Sequence, residues 1–179
     1  MSLDLVTHII AGTPLWVFAL FAYVMLQGYR RLSPRVTTIR RVAVIPALFI
    51  LWGLYGLFSR PLGLEVVAAT WLPAAVLGAV LGALTSPRHL QVDRWRGLVR
   101  QPGSVLPLVR LTLIFGAHYA LNIAMAMRPD VRPALILCDI AVSGVSAGYF
   151  LGWLASFLRT TRQAPEADLS AFGAAEVAP

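Results

Sequence analysis

Apolar positions gather into five long runs separated by short connections rich in Arg and Pro. A helix needs roughly 20 apolar residues to cross a hydrocarbon core of about 30 Å. The runs at about 13–29, 42–58, 65–84, 107–127 and 133–158 approach that length. The pattern predicts an all-α integral membrane protein, a five-transmembrane-helix bundle in a single membrane domain over 1–162. The first two runs are short, and Leu3 to Ile10 can add an interfacial turn. Thr13 then caps the first span and Pro14 occupies its first turn. Pro46 and Pro73 fall inside the second and third spans, where each removes a backbone donor and predicts a local kink.

Between the third and fourth runs the period shortens. Leu90-Gln91-Val92 and Leu98-Val99-Arg100 alternate, and Asp93-Arg94-Trp95-Arg96-Gly97 between them is a turn ending in Gly. This predicts a small β-hairpin at about 88–104. An isolated hairpin is marginal, so it should lean on the membrane through Trp95 or on the tail. The tail, 163–179, is Ala-rich, with Pro165, Glu166, Asp168 and Glu176, and is expected to be disordered.

Composition removes the soluble alternative. Of 179 residues 58% are apolar and only 13% charged, against about a quarter charged in soluble domains. The basic residues are all Arg, 15 of them against 8 acids, for a net charge of +7. Arg30, Arg31, Arg35, Arg40 and Arg41 follow the first span. Arg88, Arg94, Arg96, Arg100 and Arg110 follow the third, and Arg159 and Arg162 follow the fifth. Only Arg60, Arg128 and Arg132 lie on the other side. Cytoplasmic loops carry the basic excess, so the N-terminus is expected outside and the C-terminus and hairpin in the cytoplasm. The same placement assigns the positive charge to insertion and to anionic headgroups of the lipid bilayer, and no nucleic-acid partner is expected. Trp16 and Trp71 at the outer face and Tyr29 and Trp153 at the inner one fit an aromatic belt. Cys138 stands alone, so neither a disulfide nor a Cys-based metal cluster is expected. Asp4, with no basic residue before the first run, argues against a cleaved signal. Ser33-Pro34-Arg35 and Ser86-Pro87-Arg88 share a tripeptide, which is assigned to helix stops rather than to a repeat.

Small residues recur every four positions at Gly144, Gly148 and Gly152, at Gly78 and Gly82, and at Gly116, Ala120 and Ala124. Such rows let backbones approach closely. Packing within one chain is placed ahead of a homodimer. Arg110, His118 and Asn122 share a helical face about 200° from the Gly116 row. Asp139, Ser143 and Ser146 lie opposite the Gly148 row. A charge at mid-bilayer costs about 3 kcal/mol or more, so the polar faces should turn inward. Asn122 and Asp139 come to similar depths, with His118 about 6 Å deeper. An outward-opening polar pocket lined by His118, Asn122, Asp139 and Ser143 is therefore expected, capped by Asp4 and His8. The plainer alternative is that these residues satisfy one another as glue between helices. Arg110 is expected to snorkel to the cytoplasmic surface.

Gly12-Thr13-Pro14-Leu15-Trp16-Val17-Phe18, Leu54-Tyr55-Gly56, and Pro102-Gly103-Ser104 through Pro107-Leu108 into Phe115, Tyr119 and Ala126 resemble a family of small bacterial inner-membrane proteins classed as a domain of unknown function. The resemblance covers nearly the whole membrane region and transfers no site residue. It implies a basic residue, usually Lys, before the Tyr of the fourth span, where this chain has His118. A cation-capable side chain there tells against a metal or haem at that position.

A solute or ion transport or sensing role, with His118 and Asp139 as charge and counter-charge, is placed first. A scaffold docking a partner or anionic lipid through the Arg-rich loops comes second. A redox component holding haem between His8 and His118 comes third, because His8 should lie above the membrane. No cofactor or metal is expected. No nucleophile and base at recognisable spacing, phosphate loop or metal motif points to an enzyme.

Overall fold

The computed structural model describes residues 32–58 and 62–169, with Ala22, Met25, Leu26, Gly28 and Tyr29. Asp4, His8, most of the first expected span and residues 170–179 lie outside the described residues. Four long helices are described: α1 (Ile39–Phe58), α2 (Leu64–Leu84), α3 (Leu106–Met127) and α4 (Arg132–Gln163). All four are long and apolar enough to cross a membrane. Their outer surfaces carry exposed Leu48, Leu51, Trp52 and Tyr55 on α1, and Leu72, Val76 and Val80 on α2. Apolar exposure on that scale suits acyl chains and not water, and the chain is a multi-pass membrane protein.

Local chemistry sets the helix ends. Pro87 restricts the residue before it and stops α2, while Thr85 Oγ returns a hydrogen bond to Leu81 O (2.8 Å). Pro107 occupies the first turn of α3, and Ser104 Oγ accepts the Leu106 amide at 3.2 Å. A 3-10 turn (Pro129–Val131) leads into α4, which has Pro133 in its first turn and ends before Pro165. At 32 residues α4 is about 48 Å long, more than a hydrocarbon core needs. It outruns its expected end at Leu158, and Thr161 is buried in the added turn.

Helix α4 is the axis of the bundle. Along α2, Gly78 lies against Val145 and Tyr149, and Gly82 against Tyr149 and Trp153. From the other side Gly144 meets Trp71, Gly148 meets Ala75 and Gly152 meets Ala79. The constant offset makes α2 and α4 parallel, with glycines of each helix facing carbonyls of the other. Helix α1 crosses antiparallel, with Gly53 on Ala147 and Phe49 stacked on Phe150 at 4.4 Å. The small row of α3 makes no close helix contact at Gly116 among the described residues. Gly116 and Ala120 are exposed, and no described atom lies near the Cβ position of Gly116. The polar face of α3, turned toward α4, takes the contact instead, since it holds the charges that lipid would not accept.

At one end of the bundle the expected hairpin strands, β2 (Gln91–Asp93) and β3 (Leu98–Gln101), pair antiparallel with Val92 opposite Val99. Gly97, at φ +64°, makes the turn, and Asp93 Oδ1 accepts the Arg96 amide at 3.0 Å. A third strand joins them. Arg35–Thr38 (β1) pairs antiparallel with β3, placing Val36 opposite Arg100, in the order β1-β3-β2. Val92 and Val99 pack with Val42, Leu90, Trp153, Phe157 and Ala164, so the sheet closes over the long end of α4. Trp71 and Trp153, expected in the aromatic belt, are buried instead. Their rings fill spaces at the helix contacts.

Residues 164–169, expected to belong to a disordered tail, dock on the β2 edge. Ala167 donates to Val92 O at 3.0 Å. Arg94 binds Glu166 (2.8 Å) and also donates to the carbonyls of Arg162 (3.1 Å) and Ala164 (2.7 Å). Leu169 is buried, and its amide lies 3.4 Å from Asp93 Oδ2. The tail thus covers a strand edge that would otherwise expose unpaired backbone. Arg94→Ala should free it, and Ala167 amide exchange should rise about tenfold, the equivalent of about 1.4 kcal/mol. Unchanged exchange would show that Leu169 alone holds the tail.

Candidate functional site

Asp139 lies seven residues into α4, about 10 Å along its axis, on the side that meets α3. His118 stands on α3 at a matching level because the two helices run antiparallel. His118 Nδ1 is 2.7 Å from Asp139 Oδ1. The carboxylate side chain is 5% exposed and the imidazole 34%. A buried acid is thus joined to a base that reaches the edge of the bundle. A hydrogen bond of that length between ionisable groups gains strength where water is excluded. Its depth places both groups within the apolar length of their helices, where ionisable residues mark function by default.

The other expected lining residues divide. Ser143 is one turn along α4 and buried, but it sits at the α1 crossing, with Oγ 3.5 Å from the Cβ position of Gly56. Asn122 turns its amide back to His118 O at 2.7 Å and stays exposed. That bond stays within its own helix. Ser146 likewise bonds Val142 O at 2.7 Å within α4. The site is therefore a pair of ionisable groups, with Ser143 behind it. Among the described residues no group of three or more His, Cys, Asp or Glu is placed to hold a metal.

Arg110, expected to snorkel, instead turns onto α4. Its guanidinium carbon stands 4.8 Å from the Trp153 ring centroid, 5.2 Å from Phe150 and 5.8 Å from Tyr149. Aromatic faces attract a desolvated cation there more strongly than at an exposed surface. Tyr149 Oη in turn lies 2.6 Å from Thr85 Oγ1 at the end of α2. Beside this group opens a cavity of about 450 Å³ bordered by Arg35, Arg88 and Arg110, and a second of about 740 Å³ adjoins it along Arg88 and Gln101. Sequence reasoning offered the Arg-rich loops of this end as a docking surface but did not find the cavity or the place of Arg110 beside it. The signal available was the repeated Ser-Pro-Arg tripeptide, both copies of which border the smaller cavity.

No curated protein and no solved structure matches the chain. Residues 2–168 match the model of a family of unknown function, DUF6622, and with most of its length covered the chain belongs to that family.

Proposed function

We propose that the protein is a small solute- or ion-handling component, for transport or sensing, in a bacterial inner membrane, and that the His118–Asp139 pair is its working element. In this reading five spans thread the bilayer with the N-terminus outside. The sheet, the Arg-rich loops and the C-terminus then lie in the cytoplasm, as the crowding of Arg at the sheet end supports. The observation that carries the reading is the 2.7 Å contact between a buried carboxylate and a partly exposed imidazole inside spanning helices. A proton or cation reaching the pair would compete for the carboxylate from the open, imidazole side. One protomer makes a narrow path, so a homodimer would complete it.

The test is flux in proteoliposomes under an imposed proton or cation gradient. The unaltered chain should dissipate the gradient, and His118→Gln and Asp139→Asn should each lose most of that activity while remaining folded. No flux from the unaltered chain, or equal flux from all three, would reject transport. A second reading, docking of a partner through the Arg-rich loops, is favoured by Trp95. This ring stands 96% exposed at the hairpin tip between Arg94 and Arg96.

A further inference from the structure

Four buried side-chain nitrogen or oxygen atoms have no hydrogen-bond partner among the described residues, and three of them border one cavity: Ser86 Oγ, Gln101 Nε2 and Arg110 Nε. Buried polar atoms are otherwise almost always satisfied. All three can donate a hydrogen bond. Ser86 is only 5% exposed, so bulk water does not account for it. Arg35 and Arg88 complete the border, and no Asp or Glu shares it. The acids nearest in sequence are already engaged: Asp93 accepts the amides of Arg96 and Leu169, and Glu166 binds Arg94.

The two Ser-Pro-Arg tripeptides explain how this convergence arises. The second follows α2 where that helix ends at the sheet end of the bundle, the first stands directly before β1, and a proline restricts the chain in each. The first leads into β1 and the second follows α2, so both bring an Arg to the same opening. The opposite wall is apolar, with Leu84, Leu106 and Trp153. It lies where α2 ends and α3 begins, at the level of a bilayer's headgroups if the helices span. Three guanidinium groups and further donors suit a tetrahedral, multiply charged oxyanion better than a monatomic one, because planar guanidinium forks match phosphate oxygens in pairs.

We infer that this cavity is a binding site for a phosphate group, with Arg35, Arg88 and Arg110 as counter-charges and Ser86 and Gln101 as neutral donors. The ligand is either a phospholipid headgroup, with its glycerol root against Leu84 and Trp153, or free phosphate. The inference stands apart from the His118–Asp139 reading, which concerns other residues nearer the opposite end of α4.

The full chain in neutral detergent would be titrated with inorganic phosphate by calorimetry, and with phosphatidate or phosphatidylcholine by native mass spectrometry. Arg35→Gln combined with Arg88→Gln should weaken binding at least about tenfold. Arg40→Gln combined with Arg41→Gln removes the same charge from exposed positions off the cavity and should leave binding within about twofold. Ser86→Ala, a smaller change that keeps both arginines, should weaken it measurably. Saturable binding of phosphatidate over phosphatidylcholine, with that variant pattern, supports the lipid source, and binding of inorganic phosphate with the same pattern supports the free anion. Absence of binding by every probe overturns the inference, as does equal weakening by the two Arg pairs, which would mean diffuse surface attraction only.

Discussion

A Gly148→Val chain is expected to lose about 3 kcal/mol of stability, the upper end of the usual cost of overpacking and a large share of an ordinary margin of about 5–15 kcal/mol. A Cβ at residue 148 would run into the backbone of Ala75, carbonyl included, and not into the end of a side chain that could swing away. The α2 and α4 backbones would have to separate. That separation would loosen the matching contacts at Gly78, Gly82, Gly144 and Gly152, because all of them lie along the same α2–α4 seam. Without a strong hydrophobic drive between helices in lipid, such close packing supplies much of the association energy. Unfolding in mixed micelles, followed by circular dichroism, measures the effect. Gly116→Ala is the control, expected within about 0.5 kcal/mol of the unaltered chain, since no described atom lies within 4 Å of its Cβ position. Equal losses at both positions would refute the seam.

Removing the imidazole from α3 by His118→Ala should cost about 3 kcal/mol, the lower end of the range for breaking a buried ion pair. The lower end applies because the ring is one-third exposed while the carboxylate is buried. His118→Lys should retain most of the stability, because an ammonium at the same position can also meet Asp139. Removing both partners should cost less than the two single changes added together. The same unfolding assay reads all four chains. If His118→Ala lay within about 0.5 kcal/mol of the unaltered chain, the 2.7 Å contact would carry no structural weight. Only the flux assay would then bear on it.

The candidate pair was legible in the sequence because helical periodicity alone puts His118 on the polar side of α3 and Asp139 away from the Gly148 row of α4. The antiparallel course of the two helices then fixes their levels. Asn122 shows where that reasoning stops. It shares the face with His118, yet its amide finds a partner four residues back on its own helix. Periodicity specifies a face but cannot choose between two acceptors in reach of the same side chain. The same holds for the small rows. Five of the six glycines singled out meet a neighbouring helix, whereas Gly116 meets none among the described residues. A small row permits close approach; only the competing demand of the polar face decided which side of α3 turns inward.

The sheet end was less legible. Arg35–Thr38 is four residues set between arginine clusters, too short and too polar to stand out as a strand, and its partner β3 lies more than sixty residues further on. The tail has the composition of a disordered segment, and ten of its residues lie outside the described structure. Leu169 and Glu166 nonetheless tie residues 164–169 to the β2 end of the sheet, the first by an apolar contact and the second by an ionic one.

Taken alone, the sequence determined that the chain lives in a membrane, where its described helices run, and that glycine rows would bring some of them together. Those features depend on the apolar content and period of continuous stretches, which each stretch carries by itself. Tertiary structure decided the parallel seam of α2 with α4, the burial of Trp71 and Trp153, the stacking of Arg110 on α4, the third strand, the docked tail and the arginine-bordered cavity. Each of these is a choice among surfaces separated by tens of residues. The winner is set by which arrangement buries its charges and backbone groups with partners, a condition no single stretch can satisfy alone.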